Sequence, residues 1–236
     1  MQTGRTGDAA GRAVAGIREA ARRKGEIIDA AASVFARMGF HGASTRDIAD
    51  RVSMRQASVY YYFRSKEAAL EEVCTAAMGD VLERAQRILA QRGSASVRVV
   101  ALVRHHLVRM NQRPDYARVF LTQRRFLTGA ARERVRRVCD DYERIIVAAI
   151  ADGVARGEFR RDPSAPDMAM AVLGLCNAAL LWHGTVPGMT DDRAVRIVAP
   201  LLVDGLRAGA GADVDGAHPA TRPVIPGHLF AIGDSR

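Results

Sequence analysis

Apolar positions along most of this chain recur every three to four residues, the period of a helix that buries one face. Between Ile17 and Met38 the stripe is Ile27, Ile28, Ala31, Val34, Phe35 and Met38, and Gly39 supplies a left-handed stop. A short helix follows, capped by Ser44 or Thr45, with Asp47 in its first turn and Ile48, Ala49 and Val52 on its apolar face. After a turn at Ser53 and Met54, the pattern predicts a third short helix from Gln56 to Tyr62. Ser65 then caps a long helix over 65–91 that ends before Gly93. Further helices are predicted from Ser94 or Ser96 to Gln112, then over 115–127, 131–157, 165–184 and 190–208. The breaks are Pro114, Gly129, Gly157 with Pro163 and Pro166, and Gly184 with Pro187 and Gly188. With nine helices and no credible strand or internal repeat, the fold class is all-α.

Both ends differ from this pattern. Residues 1–17 are rich in Gly, Ala and Thr and are expected to be a disordered arm, and the Gly/Ala/Pro-rich stretch 209–236 a flexible tail. The remainder divides into a small N-terminal unit over 18–82 and a larger one over 83–208.

Composition narrows the function classes. Hydrophobic residues make up 48% of the chain and aromatic residues only 6%, a balance that favours helix over sheet. No apolar run approaches the roughly 18 residues of a membrane span, and the first seventeen residues hold no secretory signal, so a cytoplasmic location is expected. Cys74, Cys139 and Cys176 are odd in number and widely spaced, which argues against a disulfide framework and a zinc site. Glu-x-x-His repeats, a Ser/His/Asp set and a Gly-rich phosphate loop are all missing from the sequence. No metal, cofactor or catalysis is expected.

The net charge is +9, and it is uneven. Residues 1–66 carry 12 Lys/Arg against 6 Asp/Glu, whereas residues 67–236 carry 23 against 20. A local basic excess is what a polyanion-binding module requires. The segment 44–63 supplies a matching architecture, two short helices joined by a tight turn and preceded by a longer one. Ala49 permits close helix approach; Ile48, Val52 and Val59 make the apolar contact. Gln56, Ser58, Tyr60 and Tyr61 offer hydrogen-bonding groups that reach base edges or phosphates. Lys66 adds a charge at the start of the next helix.

These residues carry a family resemblance. From Ala20 to about Leu82 the chain resembles the DNA-binding domain of the TetR family. The match runs through Ala31-Ala32, Phe35, Gly39-Phe40 and Thr45-Arg46-Asp47-Ile48-Ala49. It continues through Ser58-Val59-Tyr60-Tyr61-Tyr62-Phe63 to Ser65-Lys66-Glu67 and Leu70. The resemblance implies that Thr45, Tyr60 and Lys66 grip phosphates and that Arg46, Gln56, Ala57 and Ser58 face bases. It places Tyr61 at a variable position that often reaches the backbone. Two departures stand out. Ser53 occupies a turn position that usually holds Gly, and Arg55 stands where a Ser or Thr cap is usual, its guanidinium available to a phosphate. Tyr62 and Phe63 are expected in the core.

The resemblance further implies a double-stranded DNA operator, a homodimer and a small-molecule effector bound by the C-terminal helices. Candidate pocket residues are His105, His106, Arg109, Tyr116, Phe120, Asn177, Trp182 and His183, with Phe126 as a further wall. Candidate dimer-interface residues are Leu173, Leu180, Val195, Val198, Leu202 and Leu206. The stretch from Arg156-Gly157-Glu158-Phe159 through Trp182-His183 to 187–206 is similar to TetR regulators of lipid and steroid catabolism, some of which respond to acyl-CoA thioesters. Arginines at 104, 109, 124 and 125 suit such an anionic ligand. The leading expectation is a ligand-released repressor without membrane association. An activator and a non-catalytic helical ligand-binding protein stay open on the sequence.

Overall fold

Helix α1 (Arg5–Gly42) begins well inside the segment expected to be a disordered arm. The run is rich in alanine, the strongest helix former, and free of proline, which outweighs its scattered glycines. Further along, exposed Arg22 bridges Glu19 and Glu26 on adjacent turns. The structure, a computed structural model, describes residues 5–207 except 80, 181, 183 and 184, so the expected tail over 209–236 lies outside the described residues.

The helical path of α1 breaks at Gly39, whose φ of 70° and ψ of 166° suit only glycine. Next come α2 (Thr45–Arg51) and α3 (Gln56–Tyr62), within a residue of the sequence pattern. Ile27, Ala31 and Phe35 of α1 are buried with Ile48, Ala49, Val59 and Phe63, making one small core. Ser53 takes the left-handed conformation, φ 53°, that glycine adopts without strain.

The long helix expected over 65–91 is instead two, α4 (Lys66–Met78) and α5 (Val81–Leu89), parted at Gly79. The buried stripe Leu70, Cys74, Met78, Val81, Ala85 and Ile88 keeps helical spacing straight across the break. Periodicity therefore could not reveal it, and the glycine was its one mark.

The larger unit consists of α6 (Ala95–Asn111), α7 (Pro114–Gln123) with a 3-10 turn over Arg124–Phe126, α8 (Gly129–Ala155), α9 (Ala165–Leu180) and α10 (Asp191–Leu206). Helix α6 runs through its middle, packed by α5, α8, α9 and α10. No strand forms among the described residues; Phe159 and Arg207 make a lone antiparallel bridge. The segment after α8 locks this unit. Gly157 turns the chain at φ 73°, and the Glu158 carboxylate accepts the free N–H groups of Ala95 (3.0 Å) and Ser96 (3.1 Å) at the start of α6. Those backbone donors hold the Glu158 carboxyl below the usual carboxylate range. The ring of buried Phe159 packs so close to Gly153 that no side chain fits there. The Arg-Gly-Glu-Phe run is thus a structural clamp.

Candidate nucleic-acid interface

The outer surface of the α2–α3 pair is built by capping at one end and by burial beneath. Ser44 and Asp47 form a reciprocal capping box at α2: the Asp47 N–H donates to Ser44 Oγ (3.2 Å) and the Ser44 N–H to Asp47 Oδ2 (2.8 Å). These bonds hold the Asp47 carboxyl below its ordinary range. Arg55 caps α3 with no side-chain hydrogen bond, so its guanidinium remains at the surface. Because Ile48, Ala49 and Val59 face inward, Arg46, Arg55, Gln56 and Ala57 are exposed and Ser58 is half-buried. Tyr60 is 47% exposed and Tyr61 86%. Phe63 is buried as expected, and half-buried Tyr62 packs edge-on to Tyr61 at 5.2 Å.

Four members of the expected contact set, Thr45, Gln56, Tyr60 and Lys66, make hydrogen bonds within the chain. The Thr45 hydroxyl, in a residue only 7% exposed, accepts from Gln56 Nε2 (2.8 Å) and shares a hydrogen bond with the Tyr60 hydroxyl (3.2 Å). Lys66 Nζ donates to the Ala43 carbonyl (2.8 Å) and sits 4.5 Å above the Phe40 ring, which fastens the start of α4 to the α1–α2 junction. Exposed Arg51, at the end of α2, and Arg64, between α3 and α4, add positive charge that the motif did not single out. Only the local charge excess pointed to them.

This head is tied to the larger unit at several places. Asp29 accepts from Tyr116 (2.5 Å) and Arg113 (2.7 Å) of α7; burial and the Asp29 carboxylate push the Tyr116 phenol up. Glu67 accepts from the Thr128 N–H and hydroxyl, both at 2.7 Å, and Arg134 of α8 grips Glu71 through two nitrogens.

The expected effector-pocket residues do not converge. Tyr116 and Phe120 are core residues, the first committed to Asp29. His106 is buried between Tyr142 Oη and Asn177 Oδ1, each 3.2 Å away, and burial pushes its imidazole down to about 4, so it is neutral at pH 7. Trp182 packs half-buried on the core, and His183 lies outside the described residues. His105 and Arg109 line a groove of about 540 Å³ between α5 and α6, together with Arg84, Ile88, Arg104 and Val108. His105 and His106 are adjacent in sequence but about 100° apart around α6, so His105 meets the Val81 carbonyl and His106 meets Tyr142 and Asn177.

The six expected dimer residues, Leu173, Leu180, Val195, Val198, Leu202 and Leu206, are all buried within the single chain. The expected helices present other residues outward. Leu201 is 63% exposed and Ile197 37%, beside exposed Pro200; α9 offers exposed Ala171 and Ala178 around half-buried Gly174.

A three-helix reading head with a basic, tyrosine-bearing outer face, joined to a larger helical unit, defines a DNA-binding transcriptional regulator. The chain belongs to the TetR family: residues 27–73 match the model for bacterial regulatory proteins of the tetR family, and residues 92–206 the model for a tetracyclin repressor-like C-terminal domain. It is 23% identical over 187 residues to the HTH-type transcriptional repressor KstR2 of Rhodococcus jostii, covering 78% of this chain and 91% of that one. It is 24% identical over 135 residues to the fatty acid metabolism regulator protein of Bacillus subtilis, covering 57% and 70%. The crystal structure of Bacillus subtilis FadR in complex with stearoyl-CoA shares the fold, with a TM-score of 0.66, 21% identity, and 77% and 98% coverage. No helix among the described residues is long and apolar enough to cross a membrane.

Proposed function

We propose that this regulator is a cytoplasmic, non-catalytic repressor that binds a near-palindromic operator as a homodimer and is released by an anionic amphiphile of the acyl-CoA class. The observation that carries the DNA-binding part is the division of α2 and α3 into a buried apolar face and an outer face of Arg46, Arg55, Gln56, Ala57, Ser58, Tyr60 and Tyr61. Arginines supply phosphate attraction, and the polar groups of α3 supply base-edge chemistry in a major groove. Two such heads about 34–36 Å apart reach successive grooves on one side of the duplex. The dimer forms through α9 and α10, where Ile197, Pro200 and Leu201 meet the partner's copies beside the small residues of α9 in a four-helix arrangement.

Two observations support the effector class. One relative named for fatty acid metabolism and one fold relative bound to stearoyl-CoA supply the chemistry. The α5–α6 groove supplies matching surface, with apolar Ile88, Ala101 and Val108 between Arg84, Arg104 and Arg109. A ligand preferring one head spacing lowers operator affinity by its differential affinity for the two states.

The test is fluorescence anisotropy with the duplex upstream of the protein's own gene, with and without stearoyl-CoA. Tight binding that weakens steeply with salt, is crippled in Tyr60→Ala and Lys66→Ala, and is relieved by the thioester is expected. Undiminished binding by both variants sinks the interface, and indifference to the thioester sinks the effector class.

A further inference from the structure

We propose that Asp192, in the first turn of α10, is an internal competitor for the anionic end of the effector: it holds Arg104 at the rim of the α5–α6 groove, and the effector binds by taking that guanidinium from it. The inference rests on the effector reading above and names the residue that tunes it. The groove is lined by three guanidiniums, those of Arg84, Arg104 and Arg109, and by no carboxylate. The carboxylate that answers Arg104 comes from outside, with Arg104 Nη1 3.1 Å from Asp192 Oδ1. One side chain therefore belongs to two places, the wall of the groove and the start of the helix that carries Ile197, Pro200 and Leu201. Ala101 and Val108, about one turn before and after Arg104 on α6, are apolar lining residues, so the guanidinium is flanked by surface that suits an acyl chain.

Exchange of this carboxylate for another anion is cheap. The Arg104 side chain is 56% exposed and that of Asp192 64%, and an ion pair so open to water contributes little. The displaced carboxylate is not stranded, because it stays in water beside the N-terminal N–H groups of α10, where negative charge is favoured. A CoA thioester carries several negative charges, and one phosphate can bond a guanidinium through two oxygens. It therefore outbids a single exposed carboxylate. A neutral amphiphile gains nothing from Arg104 and leaves the pair intact, so the pair sorts charged from neutral ligands. A second link, Asn111 Nδ2 donating to Asp191 Oδ1 at 2.9 Å, also joins α6 to the start of α10. The exchange removes one of these two links between the groove wall and the dimer helix.

The test is calorimetric titration of the full chain with two probes, dodecanoyl-CoA and S-dodecanoyl-N-acetylcysteamine, the same acyl thioester without the phosphates. Asp192→Asn is expected to bind dodecanoyl-CoA about threefold more tightly, the scale of one exposed ion pair no longer in competition. Asp192→Glu, which keeps the charge, should stay within about 1.5-fold of wild type on the same scale. Arg104→Gln should bind about tenfold more weakly, as for one lost hydrogen bond to a charged group. In the Arg104→Gln background Asp192→Asn should change affinity by less than about 1.5-fold, because the two residues act as one unit. The neutral thioester should not distinguish the four proteins. An Asp192→Asn protein that binds dodecanoyl-CoA no more tightly than wild type overturns the proposal. An equal gain with and without Arg104 would mean that Asp192 acts only through its field on the groove, and overturns it as well. Should Asp192→Asn lose its fold by circular dichroism, Asp192→Ser serves in its place. Wild-type protein that fails to bind dodecanoyl-CoA would overturn the effector reading itself, whereas wild-type binding with an indifferent Asp192→Asn overturns this inference alone.

Discussion

The rings of Phe40 and Phe126 are stacked with centroids 5.7 Å apart and planes 15° from parallel, joining the hinge below α1 to the 3-10 turn after α7. His41 meets the same Phe126 ring edge-on at 4.4 Å, and the Phe40 N–H donates to Gln123 Oε1 at 2.8 Å. The Lys66 ammonium lies over the Phe40 ring and holds the Ala43 carbonyl just before α2. These contacts form a continuous chain of packing from the turn over Arg124–Phe126 to the start of α2.

A double-mutant cycle of Phe40→Leu and Phe126→Leu should give a coupling of about 0.5–1.5 kcal/mol in urea unfolding, the range for an aromatic pair beyond its buried area. Additive losses would show that the stack fastens nothing.

Ser53→Gly should raise stability by about 0.5–1 kcal/mol in the same assay. Removing the Cβ relieves the left-handed turn by more than the added freedom of the unfolded chain costs. A lower midpoint would mean that Ser53 makes a compensating contact.

Gly153→Ala acts in the opposite sense. The new methyl would overlap the Phe159 ring and approach the Ala95 Cβ to 2.8 Å. Overpacking of this kind costs about 1–3 kcal/mol, measurable as a lowered urea midpoint. Pairing it with Phe159→Leu should recover part of the loss.

Leu201→Glu should dissociate the homodimer at least about tenfold, because a carboxylate would be desolvated in the interface. Light scattering and circular dichroism should report a folded monomer. The neighbouring Leu202→Glu should instead unfold the chain, since Leu202 faces inward. A Leu201→Glu protein that stays dimeric at micromolar concentration would move the interface elsewhere.

The buried His106 imidazole titrates near 4 in the folded chain against an ordinary value of 6.5. Between those values the unfolded chain takes up the proton first, so stability should fall as pH drops from 6.5 towards 4, by at most about 1.4 kcal/mol per pH unit from this group. His106→Gln, whose amide can still bond Tyr142 and Asn177, should flatten that part of a melting-temperature profile. Equal slopes would assign the acid sensitivity in this range to other groups.

Local chemistry was legible in the residues themselves. Helical period, the Ser44 and Ser65 caps, the Gly39 stop and the left-handed Ser53 turn each depend on a few neighbouring residues, and together they fixed an all-α chain with a helix-turn-helix. Direction around a helix, and what one element meets across space, were not local. Leu201 and Leu202 are equally apolar, yet one faces outward and the other inward, because only the packing of α10 on α6 and α9 decides which side is core. Packing likewise dispersed the candidate effector residues, hid the break at Gly79 beneath an uninterrupted apolar stripe, and turned Thr45 inward to the hydroxyls and amides of α3. A sequence specifies which faces are sticky; the three-dimensional arrangement alone determines which sticky faces are already covered.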